Sequence, residues 1–286
     1  MSSILALIKN NLAGIYPPGE IRALARLLLE KHFQISMIDI YADKVRDFSS
    51  EEMSDLENIL ERMRMHEPIQ YILGEADFDN RSFFVAPGVL IPRPETAELV
   101  TWITEEYHAE TNNHVCHLLD AGTGSGCIAI SLAVRLPHIN ITAWDISEDA
   151  LQIAIHNAQH HQTNICFEKK DILKEVLHPA SAEKSFHIIV SNPPYICYRE
   201  KETMERNVLD HEPELALFVP DDDPLRFYRA LALLGKKRLA HNGKIYMEIN
   251  REMGEPIINL FQKEGYQNIE LRKDCNENNR MIRCNL

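Results

Sequence analysis

The stretch from His117 to Ile130 limits what this chain can fold into more than any other. The apolar segment His117-Leu118-Leu119 ends at Asp120-Ala121 and enters the turn Gly122-Thr123-Gly124-Ser125-Gly126, and an Ala/Ile/Leu-rich segment starts at Cys127. Strand, glycine turn and helix together open a βαβ unit. Three alternating glycines let the backbone approach a ligand closely. The helix N-terminus beyond them offers free N–H groups and positive potential. Downstream, Ile139-Asn140-Ile141-Thr142-Ala143-Trp144-Asp145 reads as a second strand ending in an acid, at the spacing expected of a carboxylate that accepts from ribose hydroxyls. A third strand, Ile165 to Lys170, ends at Asp171, a polar group on the same sheet edge to which an adenine amine can donate.

A second motif, Asn192-Pro193-Pro194-Tyr195, follows the β-branched run Phe186-His187-Ile188-Ile189-Val190-Ser191. It therefore sits at the carboxyl end of a buried strand, where open α/β sheets bind ligands. The Asn192 side-chain carbonyl is an acceptor. Pro193 has no N–H, so its backbone offers an acceptor and no competing donor. Each residue before a proline is pushed to extended geometry, which stiffens the turn. Tyr195 adds a flat face. A planar –NH2 group fits here, one hydrogen to Asn192 and the other to the Pro193 carbonyl. The competing reading is a rigid turn with a surface tyrosine.

The glycine turn alone leaves two nucleoside cofactors open. Counted from Gly124, Gly124-x-Gly126-x-x-Ala129 satisfies the dinucleotide fingerprint. Counted from Gly122 it is Gly-x-Gly-x-Gly, which resembles the turn of S-adenosylmethionine-dependent methyltransferases. A hydride-transferring enzyme has no use for an amide clamp after the fourth strand. A methyltransferase acting on nitrogen does, so the two motifs together favour methyl transfer.

The chain has 286 residues, room for one large or two modest domains. With 30 basic and 43 acidic residues its net charge is −13, which argues against non-specific binding to a phosphate backbone. The six cysteines, at 116, 127, 166, 197, 275 and 284, include no CxxC pair, so a zinc ribbon or a thioredoxin-like site is not expected. No metal site is expected either. Cys116, Cys127 and Cys166 lie in apolar segments and read as packing residues. No basic-then-apolar leader and no membrane-length apolar run is evident, so the expected location is the cytoplasm.

Residues 1–73 read as helices only, with Ile21, Leu24, Leu28 and Phe33 at helical spacing and a capping box from Ser49 to Glu52. A β-hairpin around Asp79-Asn80 is expected to link this segment, over about 74–91, to a second domain that completes 74–286. There strands at 115–120, 140–145, 165–170, 187–191 and 244–250 alternate with helices, which predicts a mostly parallel, doubly wound α/β sheet. Strands near 267–273 and 280–285 are too close for a parallel crossover and should form an antiparallel hairpin at its edge. His156 and His160 read as a solvated helix face, and Asp221-Asp222-Asp223 as a loop capping the next helix.

The chain resembles the peptide chain release factor glutamine methyltransferases, the HemK-type enzymes. The resemblance runs nearly the whole length. It is carried by His66 to Gly74, by Leu90-Ile91-Pro92-Arg93-Pro94-Glu95-Thr96, by Leu119 to Gly126, by Ile189 to Ile196 and by His211-Glu212-Pro213-Glu214-Leu215-Ala216-Leu217. It implies a Rossmann-like class I methyltransferase domain behind a small helical domain that recognises substrate. It implies methyl transfer from S-adenosyl-L-methionine, leaving S-adenosyl-L-homocysteine. The acceptor would be the side-chain amide of the glutamine in the Gly-Gly-Gln loop of release factors. By motif match, Gly122, Thr123, Gly124, Ser125, Gly126, Asp145, Asp171, Ile172 and Asn192 would contact the cofactor. Asn192, Pro193, Pro194 and Tyr195 would hold the glutamine, with Asn192, Pro193 and Tyr195 serving the chemistry. The turn from Lys273 to Arg280 departs from the Gly-Arg-Asp-Arg-like pattern usual in the family. The rival readings are an amino-methylase of RNA or DNA, and a noncatalytic scaffold.

Overall fold

The computed structural model describes residues 3–42, 44, 46–108, 116–177 and 185–286. They divide into two units, Met1–Glu75 with Met204–His211, and Ala76–Thr203 with Glu212–Leu286. The first unit holds helices α1 (Ser3–Leu12), α2 (Pro18–Lys31), α3 (Met37–Tyr41), α4 (Ser50–Arg64) and α5 (Ile69–Leu73). Pro18 opens α2, where a missing N–H costs nothing. The capping box at α4 is complete: Ser49 Oγ accepts from the Glu52 N–H at 3.1 Å, and Glu52 Oε2 from the Ser49 N–H at 2.8 Å. Ile8, Leu12, Leu28, Leu29, Leu56 and Leu60 close its apolar core.

The hairpin of β1 (Glu75–Phe78) and β2 (Arg81–Phe84) follows. Asp79 and Asn80 both take left-handed backbone (φ 49° and 58°), the geometry of a two-residue hairpin turn. Next come α6 (Thr96–Tyr107), β3 (Cys116–Ala121), α7 (Cys127–Arg135), β4 (Ile139–Asp145), α8 (Glu148–His160), β5 (Ile165–Lys169), α9 (Ile172–Glu175) and β6 (Phe186–Ser191). The chain continues through β7 (Ile196–Cys197), α10 (Arg206–His211), α11 (Glu214–Leu217), β8 (Phe218–Val219), α12 (Arg226–Arg238), β9 (Leu239–Glu248), α13 (Gly254–Lys263), β10 (Gln267–Lys273) and β11 (Asn279–Asn285). Residue 115, the expected start of the first large-sheet strand, lies outside the described residues.

Seven strands form one sheet in the order β10-β11-β9-β6-β3-β4-β5. The pairs β6·β3, β3·β4, β4·β5 and β6·β9 are parallel, and β9·β11 and β10·β11 antiparallel. This is the expected class I methyltransferase architecture, antiparallel hairpin included. Strand alternation splits the apolar side chains between two faces. Leu118, Ile188 and Tyr246 join residues of α6 and α7. Their neighbours Leu119, Ile189 and Ile245 join residues of α12 and α13.

Two local expectations are corrected. Asp223 does not cap α12, which starts without a side-chain cap; it pairs with Arg229 at 3.1 Å. Cys166 is exposed, because β5 is an edge strand and leaves one flank of its residues uncovered. Among the described residues, no helix is long and apolar enough to cross a membrane.

Candidate active site

Parallel pairing places the carboxyl ends of β3, β4, β5, β6 and β9 on one edge of the sheet. The chain runs outward from β3 to β4 to β5, then returns to β6 on the other side of β3. A reversal of strand order opens a crevice at that edge. The Ser191 hydroxyl donates to the Ala121 carbonyl at 2.6 Å and ties the two strand ends together there. The glycine turn leaves one of these ends and Asn192 leaves the other.

Asp145 shapes the turn. Its Oδ2 accepts from the Gly124 N–H at 2.8 Å and its Oδ1 from the Ser147 N–H at 2.9 Å. The Gly122 and Thr123 N–H groups donate to the Trp144 carbonyl at 2.8 and 2.9 Å. Gly124 has φ +55°, and a Cβ there would meet no heavy atom within 4 Å, so the turn presents bare backbone to open space. At Gly126 a Cβ would lie 2.9 Å from Ile130 Cδ1 and 3.2 Å from Ala154 Cβ, so this glycine lets α7 pack against α8. Burial raises the Asp145 carboxyl, and the N–H groups of Ser147, Gly124 and Ile146 pull it back down. A carboxylate has about four acceptor sites. The turn and its acid thus fit a nucleoside cofactor: an open backbone face beside a carboxylate with lone pairs to spare.

Asp120 lies fully buried behind the turn and accepts from the Thr123 hydroxyl at 2.7 Å. Burial pushes its carboxyl up to about 7, against the pull of the Thr123 hydroxyl and the Ala129 N–H. Between its ordinary value of 3.8 and about 7, the folded chain holds a proton that the unfolded chain has lost. The stability this contributes is full at acid pH and is lost as pH rises through about 7. Asp120→Asn removes the titration. Its melting temperature relative to wild type is expected to rise between about pH 5 and about pH 8. A constant difference in thermal melts across that range would show that Asp120 does not titrate there.

On the other side of the crevice, buried groups hold the Asn192–Tyr195 turn. Pro193 is buried; Asn192, Pro194 and Tyr195 are partly exposed. Asn192 Nδ2 donates to Thr96 Oγ1 at 3.2 Å, and Thr96 Oγ1 donates to Glu248 Oε2 at 2.6 Å. The Tyr195 hydroxyl donates to Glu248 Oε1 at 2.9 Å. Asn250 Nδ2 reaches the Tyr195 carbonyl at 3.3 Å, and Glu200 accepts from both Asn250 Nδ2 and the Cys197 N–H. Burial, then the Glu248 charge, raises the Tyr195 phenol well above its ordinary range, so it stays protonated. Asp171 and Ile172 lie at the far end of the same edge. Asp171 Oδ1 caps α9 by accepting the Leu173 N–H at 2.9 Å, and Oδ2 lies 3.5 Å from Lys174 Nζ. Ile172 is buried in the core with Leu119, Ala121 and Trp144.

Comparison with known proteins is consistent across sequence and structure. The profile of the methyltransferase small domain matches residues 104–211, and that of the PrmC N-terminal domain residues 4–74. The release factor glutamine methyltransferase of Bacteroides thetaiotaomicron is 47% identical over 285 residues, covering 100% of both chains. That of Flavobacterium psychrophilum is 40% identical, covering 96% of this chain and 95% of its own. The chain belongs to the release factor glutamine methyltransferases. It is an enzyme of methyl transfer, and its methyl donor is S-adenosyl-L-methionine. The corresponding enzyme of Streptococcus pneumoniae is 41% identical, covering 85% and 84% of the two chains. Among solved structures, the hMettl16 catalytic domain superposes with a TM-score of 0.51 at 16% identity, covering 68% of this chain and 70% of that one. The human methyltransferase 10 domain containing protein gives 0.50 at 17%, covering 72% and 87%. At such identity they share the fold alone.

Three groups in this methyltransferase were not visible as site residues in the sequence. Glu248 ends β9 on the same edge as Asp145, and an acid closing a strand was a signal available there. Thr96 reads as a helix-start residue, yet its hydroxyl points to Glu248, 152 positions away. Arg280 pairs with Asp274 at 2.9 Å and lowers the Glu248 carboxyl. Asp274 also accepts the N–H groups of Asn276 and Asn278, so one buried acid organises the turn that departs from the family pattern. The segments Ile91–Arg93 and Glu212 also meet: Glu212 Oε2 accepts the Ile91 N–H at 3.1 Å and Oε1 the Arg93 guanidinium at 2.5 Å.

Proposed function

We propose that this chain methylates the side-chain amide nitrogen (N5) of the glutamine in the Gly-Gly-Gln loop of peptide chain release factors, in the cytoplasm, in support of translation termination. The observation that carries this reading is the state of Asn192. Its NH2 end is committed to Thr96, and among the described residues nothing donates to its Oδ1. In this reading that oxygen and the Pro193 carbonyl act as a pair of acceptors for the substrate amide.

In this reading Gly122, Thr123, Gly124, Ser125 and Gly126 line the amino-acid end of the cofactor. Asp145 accepts from its ribose, and Asp171 and Ile172 border its base. The bound cofactor supplies an electrophilic methyl carbon on a sulfonium. The chain's own work is positioning. An amide nitrogen is a poor nucleophile because its lone pair is delocalised into the carbonyl. Asn192 Oδ1 and the Pro193 carbonyl each accept one of its hydrogens, which raises electron density on nitrogen and aims the lone pair. Tyr195 offers its ring as a platform, and its hydroxyl, directed to Glu248, takes no proton. As the N–C bond formed, the S–C bond would break to leave a neutral thioether, and the surplus proton on nitrogen would leave past Asn192 to water. Orientation and preorganised dipoles account for the rate.

Residues 1–73 take the part of a recognition domain for the folded release factor, since the cofactor and clamp residues all lie at or beyond Gly122. The net charge of −13 speaks against a nucleic-acid substrate. The test is transfer of labelled methyl groups to release factor, tRNA and DNA in parallel. Label is expected in the release factor alone. Label in tRNA or DNA instead would replace this reading with an amino-methylase acting on nucleic acid.

A further inference from the structure

Asn192 stands at the end of a hydrogen-bond chain whose sense is set from the far end. Glu248 is 2% exposed, accepts the Thr96 hydroxyl at Oε2 and the Tyr195 hydroxyl at Oε1. Burial raises its carboxyl, while these two bonds and the Arg280 charge favour the ionised form. Both Glu248 oxygens are the acceptors in these bonds, so the single Thr96 proton is spent on Glu248. Thr96 Oγ1 then faces Asn192 with lone pairs only, at 3.2 Å. The NH2 end of Asn192 matches those lone pairs; the carbonyl end would oppose them. The side-chain amide is thereby held with Oδ1 turned away from Thr96.

We propose that Thr96 and Glu248 fix the sense of the Asn192 amide and so make the site select an amide over a carboxylate. This rests on the reading of Asn192 as the group that holds the substrate amide. Glutamine and glutamate have nearly the same shape, so pocket size separates them poorly. A site built to accept N–H separates them well, because a carboxylate brings only acceptors to Asn192 Oδ1 and the Pro193 carbonyl. Thr96 and Glu248 are positioning residues: they act through Asn192 and Tyr195. Without the Thr96 hydroxyl, the terminal amide torsion has two comparable orientations. In one of them the NH2 group faces the crevice and welcomes a carboxylate.

The experiment uses the full chain with intact release factor, and a release factor whose Gly-Gly-Gln glutamine is replaced by glutamate as competitive inhibitor. Wild type, Thr96→Val, Thr96→Ser and Asn192→Ala are compared after circular dichroism and cofactor titration have shown each to be folded. Thr96→Ala replaces Thr96→Val if the latter does not fold. Wild type is expected to bind the glutamate form at least about tenfold more weakly than the glutamine form. Thr96→Val is expected to lose about tenfold or more in kcat and to bring that binding ratio towards one, and Thr96→Ser to restore both. A Thr96→Val enzyme with lowered kcat but the wild-type ratio would overturn the proposal and leave Thr96 a packing residue. So would failure of Thr96→Ser to restore the ratio. Asn192→Ala with wild-type kcat and ratio would instead remove the underlying reading of Asn192. An inactive Asn192→Ala beside an unaltered Thr96→Val ratio overturns only the role of Thr96 and Glu248.

Discussion

Asn192→Ala is expected to lower the turnover of release factor methylation by on the order of 10²-fold or more, with little change in release factor affinity. The protein substrate docks through a surface much larger than one amide, so its binding survives. The amide itself loses one of two acceptors. It then rotates about the remaining bond to the Pro193 carbonyl, and its nitrogen leaves the line of attack. Misplacement by about 1 Å carries a penalty of that size. The variant should fold, because the lost partner, Thr96 Oγ1, keeps its stronger bond to Glu248 at 2.6 Å. Single-turnover kinetics at saturating release factor separate the two effects. A parental rate would show that the acceptor pair does not hold the reacting amide.

Asp145→Ala is expected to weaken cofactor binding by roughly 10²- to 10⁴-fold, since two charge-assisted bonds to ribose hydroxyls would be worth about 1.5–3 kcal/mol each. The loss has a second source visible only in the structure. Asp145 is the acceptor for the Gly124 and Ser147 N–H groups, so its removal also frees the glycine turn. Asp145→Asn keeps acceptors in place but removes the charge, and should lie between the two. Titration calorimetry with the cofactor reads both variants. Unchanged affinity in Asp145→Ala would exclude Asp145 from the ribose site.

Much of this architecture is legible in the sequence because local signals agree. The capping box at Ser49, the left-handed pair Asp79-Asn80, the glycine turn and the short link before Asn279 each encode their own geometry within a few residues. The same holds for the Asn192-Pro193-Pro194-Tyr195 turn, whose acceptors are part of its own chain. What stays hidden is long-range. Thr96 and Glu248 are 152 positions apart and meet because β9 lies beside β6 while α6 packs on the same face. Ile91 and Glu212 are 121 apart, and each alone reads as an ordinary loop residue. Asp171 carries a local use, capping α9, that no spacing argument towards a ligand reveals. Exposure is also a property of the sheet: Cys166 is open to solvent because β5 is its last strand.

The proposed role of the crevice edge between Gly122 and Tyr195 is delivery of a methyl group to one glutamine amide. It is tested most directly by mass-spectrometric mapping of a release factor after incubation with this chain and S-adenosyl-L-methionine. A single added methyl group is expected, located on the side-chain nitrogen of the Gly-Gly-Gln glutamine and absent when Asn192→Ala replaces the parent enzyme. Methylation at any other residue, or equal modification by Asn192→Ala, would contradict it.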